Sequence, residues 1–507
     1  MKRIYFLIIG ILVANFSNAQ NITDALRYST ESLHGTARYS SMSGAFGALG
    51  GDLTGMQINP AGSAVFLNST ANVSLSLLDK KNETNYFNSI NTNYNSDVTI
   101  NQAGIVFVFD NPNEDSAWKK FTLGLNYDVT NNFDDAYFAT GQSTNSIDSY
   151  FLNYAQGVPL DLLQLQSGES ISDLYRFLGE TQGYGAQQAF LGFQSFIIDP
   201  VDFDNPNNTS YVSNVAPGSF NQEYYIQSAG YNAKFTINLA TQIHDNFYIG
   251  VNLNSHVIDY RESKFYYEEN NNPDTFVNEI GFRNNLGVLG DGFSAQVGII
   301  SKPSDFIRLG LTYETPTWYN INEETTQGIE TQRVENDELI TETIRPNIVN
   351  IYEEYRLKTP GKLTGSFAYL FGKNGLISVD YSYKDYSNIE FRPESVPSFA
   401  SENQRMENLL KGVSTINVGG EYRWNKISFR GGYKYEDSPF NDPDVMSDLS
   451  GFSLGLGYNF GSFKLDAAYA RTEQDRQEQF FPNSSFTNAT KVNTINNFFT
   501  ITANFGF

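Results

Sequence analysis

Nucleophilic catalysis needs a hydroxyl or thiol, a histidine to take its proton, and a third group to orient the ring. The chain of 507 residues has no cysteine and three histidines, His34, His244 and His256. Ser255 and His256 are neighbours in a strand-like stretch, and neighbours on a strand point to opposite faces. They form no catalytic pair, so the chain is read as a non-enzyme. Haem ligation by His34 or His256 stays open as an alternative use of these rings, although a lone histidine is most often only a polar side chain. The acidic runs "EENNNPD" and "NDPDVMSD" lack the spacing of a Ca²⁺ loop and read as solvated segments. No metal or cofactor is expected.

The remaining charged chemistry lies on the polar faces of alternating stretches: Arg308, Lys362, Lys384, Arg430, Lys434 and Lys464, with Glu314, Asp380 and Asp466. Arg308, Lys384 and Arg430 are the candidates to receive a substrate carboxylate by charge-assisted hydrogen bonds. The other reading is that these residues brace the fold and tie down a plug.

Which elements would carry them follows from composition and period. Aromatics make up 15% of the chain, with 32 Tyr and 40 Phe, too many for disorder despite a net charge of −23. That charge argues against a nucleic-acid partner. Lys2 and Arg3, the apolar run 4–14 and the Ser17-Asn18-Ala19 end have the layout of a signal peptide over residues 1–19, cleaved before Gln20. No later segment approaches the length of an apolar helical span. In lipid, the alternative is a closed barrel.

From Ala71 onward the sequence alternates with period two. In "GFSLGLGYNF", Phe452, Leu454, Leu456, Tyr458 and Phe460 share one face, with Ser453, Gly455, Gly457 and Asn459 on the other. The polar face is rich in Gly, Ser, Asn and charge, which suits an apolar outside and a wet lumen. Fourteen strands are predicted, from 71–78 to 493–507. Long loops (79–97, 141–221, 263–285, 320–349, 392–414, 436–450, 472–492) alternate with short turns, the asymmetry of an outer-membrane barrel. Trp118 and Trp424 lie beside short turns and Trp318 beside a long loop, as girdle residues would. In the longest loop "SISDLYRFLGE" puts Ile171, Leu174, Phe177 and Leu178 on one helical face, with Ser170 or Ser172 as N-cap. Leu174, Phe177 and Leu178 are read as walls of a pocket for an apolar ligand, or else as a lid packed on itself.

Several segments in order resemble the outer-membrane long-chain fatty-acid and hydrophobic-compound transporters of the FadL/TodX type. They are a Gly/Ala-rich N-terminal run ending in Asn59-Pro60-Ala61, "RLGLTYETP", "LKTPGKLTGSFAYLF" followed by "ISVDYSYKDYS", "FRGGYKYEDSPF", "SLGLGYNFGSFKLDAAYA" and a terminal Phe507. The resemblance implies a 14-stranded antiparallel transmembrane β-barrel over 71–507, an N-terminal hatch over 20–70 inside the lumen, and helix-bearing extracellular loops. It also implies passage of fatty acids or aromatic hydrocarbons through a side opening at an inward kink of the third strand, placed here at Asn131 and Asn132, which interrupt the alternation. Within such a hatch, Phe46, Leu49, Leu53 and Met56 are expected to offer apolar surface to the ligand, and Asn59, Pro60 and Ala61 to form its stiff tip. The expected partners are a hydrophobic small molecule, outer-membrane lipid and lipopolysaccharide, and the barrel-assembly machinery through the strand ending in Phe507. The barrel is expected to be monomeric, in the outer membrane of a Gram-negative cell. A shuttle barrel of a type IX-like protein secretion system is the rival reading.

Overall fold

The computed structural model describes residues 21–113, 115–336, 338–481 and 485–507. The expected signal sequence lies outside them. Strands β1 Thr70–Tyr86, β2 Ser89–Asp110, β3 Trp118–Asn132 and β4 Asp135–Ser143 come first, and a small hairpin, β5 Ile198–Pro200 and β6 Tyr211–Ser213, lies in the long excursion that follows. β7 Phe220–Ile243, β8 Phe247–Asn270, β9 Val277–Ser301, β10 Ile307–Glu314, β11 Trp318–Glu335, β12 Glu338–Ile344, β13 Asn350–Ile351, β14 Tyr355–Lys358 and β15 Lys362–Phe371 continue the wall. It is completed by β16 Gly375–Asp385, the short β17 Glu390–Arg392, β18 Gly412–Trp424, β19 Ile427–Glu436, β20 Leu449–Asn459, β21 Phe463–Gln479 and β22 Ala489–Gly506. Four staves are broken: β3 with β4, β10 with β11, β12 through β15, and β16 with β17, which pairs with β14. Among the described residues this makes fourteen antiparallel staves, closed by pairing of β1 with β22 from Thr70↔Gly506 to Asn85↔Lys491.

The alternation of the sequence is realised as wall chemistry. Leu454 and Leu456 are 58% and 55% exposed on the outside, while Ser453 on the same strand is buried in the lumen. Phe235, Ile237 and Leu239 of β7 face out, and Thr236 and Asn238 face in. This outer apolar belt is what lipid requires. Trp118, Trp318 and Trp424 are all exposed at its margins.

Four of the predicted long loops are largely strand instead, 472–492 among them through the upper ends of β21 and β22. Residues 79–97 are the upper parts of β1 and β2, joined at Phe87 and Asn88, both with positive φ. Residues 263–285 continue β8 and β9, and much of 320–349 is the hairpin of β11 and β12. Above the membrane neither face of a strand needs to be apolar, so pairing continues where the period-two signal stops. Trp318 accordingly sits at the start of β11, with seventeen more residues of strand above it, rather than beside a loop.

Inside the lumen lie α1 Ile22–Ser29, α2 Ala37–Ser40, α3 Gly55–Ile58 and a 3₁₀ segment, Pro60–Val65. The wall makes room for this hatch with glycine. A Cβ on Gly310 would overlap the Gly47 carbonyl, one on Gly298 the Asn59 side chain, and one on Gly250 the Pro60 backbone. Over the mouth, α4 Asp148–Ala155, α5 Leu160–Leu163, α6 Ile171–Thr181 and α7 Tyr184–Gln194 form a cap. α8 Pro397–Leu409 lies in a second excursion.

Candidate functional site

Between the hatch and the cap lies a cavity of about 1260 Å³, larger than most small-molecule pockets. Its floor is the first hatch segment, from Asn21 to Leu33. Its roof includes Tyr150, Tyr154 and Tyr184 of the cap with Phe480 and Phe481, and α8 supplies part of the side. α1 is fixed locally by a capping box, in which the Asn21 side chain accepts from the Thr23 and Asp24 amides and Asp24 accepts in return from the Asn21 amide. It is fixed tertiarily by Glu402 of α8, which accepts from the Ile22 amide at 2.8 Å.

The hatch stretch expected to meet the ligand lies elsewhere. Phe46, Leu49, Leu53 and Met56 are buried in clusters with wall residues such as Ala368, Phe498 and Val106, and none lines the cavity. Asn59, Pro60 and Ala61 are buried at the turn end of β7, β8 and β9, remote from the loops. Asn59 Nδ2 donates to the Ile299 carbonyl at 2.9 Å, and Asn238 Nδ2 donates to the Pro60 carbonyl at 2.9 Å. The reason is polar satisfaction. A loop-like segment inside a barrel has many unpaired backbone groups, and inward Asn, Gln and Arg side chains satisfy them. Gln296 serves the Gln57 carbonyl and Asn252 that of Met56.

The three candidate cations are used in the same way. Arg308 Nη1 donates to the Leu49 carbonyl at 2.6 Å, and Lys384 Nζ to the Ser29 carbonyl at 2.5 Å. Arg430 is paired with Glu421 and Asp466, each at 2.7 Å, and Glu421 also holds Arg38 of the hatch at 2.9 Å. They brace the wall and tie down the plug. Of the residues expected at a pocket wall, Leu174 and Leu178 are fully buried inside the cap, with Phe177 packed against the same cluster. That cluster includes Phe190, Phe220, Tyr224, Tyr266, Phe282 and Ile329, so the cap is seated on the tall hairpins. The N-cap of α6 is Ser170, whose Oγ accepts from the Asp173 amide.

At Asn131 and Asn132 the wall itself changes. Register slips between Val129 and Asn131, β3 ends at Asn132, and β4 resumes at Asp135 on the β7 side. On the other side, the ladder between β2 and β3 runs from Asp110↔Lys120 to Gln102↔Asp128 and stops. Above that point β2 pairs with β1, and β3 and β4 pair with β7, leaving an interruption in the wall. β4 lies inward of β1, whose inward side chains reach the carbonyls of β4 and of the residue before it: Lys80 to Asp134, Asn82 to Ala136 and Thr84 to Phe138. Phe133 turns in against Tyr28 of α1 and Tyr260, with ring centroids 6.2 and 5.3 Å away. Opposite the break, Gly230 of β7 has φ +122°, and a Cβ there would overlap the Asp259 carbonyl oxygen. The break is also joined to the cavity floor. Ser32 Oγ donates to Asn131 Oδ1 at 2.8 Å, and the Ser32 amide donates to the Thr130 carbonyl at 2.9 Å.

His256 is hydrogen-bonded through Nε2 to Ser294 at 2.8 Å and through Nδ1 to the Tyr319 hydroxyl at 3.3 Å. Sequence reading missed this set because its members come from three strands. None of them lines the cavity. His34 is buried edge-on against Phe498, and both histidines are enclosed by hatch and wall.

Residues 207–507, more than half of the chain, match the model of the outer membrane protein transport protein family (OMPP1/FadL/TodX). The chain belongs to this family. Its place in the outer membrane follows, and the barrel with its hatch is shared with solved structures. A FadL homologue of Pseudomonas aeruginosa aligns with 94% of this chain and 100% of its own, at 15% identity and a TM-score of 0.51. The P. putida toluene transporter TodX aligns with 95% and 99%, at 10% identity and a TM-score of 0.51. No curated protein matches the sequence. The family match lends no support to the secretion-shuttle or haem readings.

Proposed function

We propose that the chain passes hydrophobic small molecules across the outer membrane by diffusion, with no chemistry and no energy source. The observation that carries this is the junction at Ser32: one hatch residue both floors the large outer cavity and is bonded to the interrupted stave at Asn131. A ligand enters beneath the cap, gaining about 25 cal/mol for each Å² of apolar surface removed from water. Displacement of residues 30–33 then opens the way to the gap beside β4, and the ligand leaves sideways. A water-filled channel would serve such a solute badly, so the plug is part of the function. That toluene is carried by the P. putida transporter supports the hydrophobic ligand class.

In this reading residues 1–19 are a leader removed on export, and the barrel works as a monomer amid outer-membrane lipid and lipopolysaccharide. The strand ending in Phe507 is its signal to the assembly machinery. The test is accumulation of a labelled long-chain or aromatic hydrocarbon by cells with and without the gene, together with mass spectrometry of lipids extracted from the purified barrel. Gene-dependent uptake and a bound apolar compound are expected. Equal uptake, with a secreted protein co-purifying in place of a lipid, would establish the shuttle reading.

A further inference from the structure

We infer that the outer cavity takes an uncharged amphiphile, a hydrocarbon with a hydroxyl- or amide-type head, and discriminates against carboxylates. The inference rests on the transport reading and specifies its ligand. It starts from the charges on the cavity wall. Among the described lining residues there are eight carboxylates against five cations.

Each of those cations already has an acidic partner. Arg27 is 2.5 Å from Asp24 and 3.8 Å from Glu262, and Lys264 is 3.1 Å from Glu262. Arg405 is 3.5 Å from Glu402, and Lys434 is 3.1 Å from Glu436. Arg476 is held by Asp135 at 3.7 Å and Glu478 at 3.8 Å. Asp437 and Asp442 add further negative charge to the lining, and among the described residues neither is in an ion pair. A ligand carboxylate would have to displace a resident one and face the surplus, a like-charge juxtaposition that selects against it.

The floor makes the same point. Glu31 of the hatch faces the cavity and takes a hydrogen bond from Lys362 at 2.7 Å, while Lys362 also lies 3.3 Å from Glu314. Burial pushes the Glu31 carboxyl up, but Lys362, Lys234 and Lys384 outweigh it and hold it well below the usual range. The protein's own carboxylate therefore fills the position where these lysines would receive a fatty acid's head. What else lines the cavity is neutral: the Asn284 amide on one wall, the aromatic rings of the roof, and apolar Leu26, Phe440 and Phe481.

The measurement is equilibrium binding of tritiated 1-hexadecanol and hexadecanoate to the full barrel in nanodiscs of neutral lipid, at a mildly alkaline pH that keeps the acid ionised. Saturable hexadecanol binding is expected, with hexadecanoate weaker by about tenfold or more. Glu31→Gln should raise hexadecanoate affinity several-fold by loosening the hold on Lys362, and so narrow the gap between hexadecanoate and hexadecanol. Glu436→Gln, which releases Lys434, should act in the same direction and covers the case in which the first variant folds poorly. Hexadecanoate bound as tightly as hexadecanol by the unsubstituted barrel, or unmoved by both variants, overturns the selectivity. Absence of saturable binding of either compound overturns the transport reading on which it rests.

Discussion

At the residue scale, the inward face of this barrel is occupied by polar side chains with structural duties, and one of them gives a pH signature. Glu268, at the extracellular end of β8 above the apolar belt, accepts from Gln222 at 2.7 Å, from the Tyr266 hydroxyl at 2.7 Å and from the Ile147 amide at 3.2 Å, and is bonded to Ser146. Burial without a facing cation pushes its carboxyl up to about 7 from an ordinary 4.5, against the pull of those hydrogen bonds. Between these values the folded state holds a proton that the unfolded state releases. Its contribution to stability is therefore full below pH 4.5, declines as pH rises to about 7, and is flat above. Glu268→Gln should remove that slope from thermal unfolding curves of the purified barrel, and a slope that survives the substitution would assign it to another group. Asn131 and Asn132 give the second prediction at this scale. Replacing both by Val removes the bonds to Ser32 and Asp97 and restores a good strand former. Uptake should fall several-fold if the break is the exit, whereas undiminished uptake would place the exit elsewhere.

At the scale of elements, the break in the third stave depends on the residue opposite it. Gly230→Ala forces a side chain into a left-handed φ and against the Asp259 carbonyl, a strain of roughly 1–3 kcal/mol. A lowered unfolding temperature in detergent, or loss of assembled barrel, is expected, and an unchanged unfolding temperature would show that the strand pair there is not so constrained. The strand count, the outward faces and the amphipathic α6 were readable in the sequence because lipid and core each impose a period. Residues such as Leu454 and Ser453 have no other arrangement available in a membrane wall. The upper hairpins were not readable, since "KKNETNYFNSINTNYNSD" pairs as strand through backbone bonds that leave no apolar period. The floor of the cavity was missed for a different reason. Residues 21–33 are polar and short-helical, and nothing local distinguishes a segment facing a cavity from one facing solvent. Phe46 to Ala61, apolar and glycine-rich, looked like ligand surface because small apolar residues suit close packing against a barrel wall equally well.

At the scale of the molecule, the hatch consists of two differently fastened parts. From Tyr39 to Val65 it is buried and held by side chains from many strands, among them Arg308, Asn238, Asn252 and Gln296. Residues 30–33 instead lie between the cavity and the interrupted stave, bound there through Ser32. Movement confined to the second part would open a route from cavity to gap without unfolding the plug. A cross-link from Ala61→Cys to the wall beside it should therefore leave uptake intact. Because the chain contains no native cysteine, a single introduced pair reports without background. The decisive measurement is uptake of a labelled hydrophobic ligand by cells expressing Ser32→Cys/Asn131→Cys, before and after the pair is closed by oxidation or a short bifunctional reagent. The account predicts that closing the pair abolishes uptake and that reduction of the disulfide restores it, whereas uptake unaffected by a fully formed cross-link would contradict a gate at this junction.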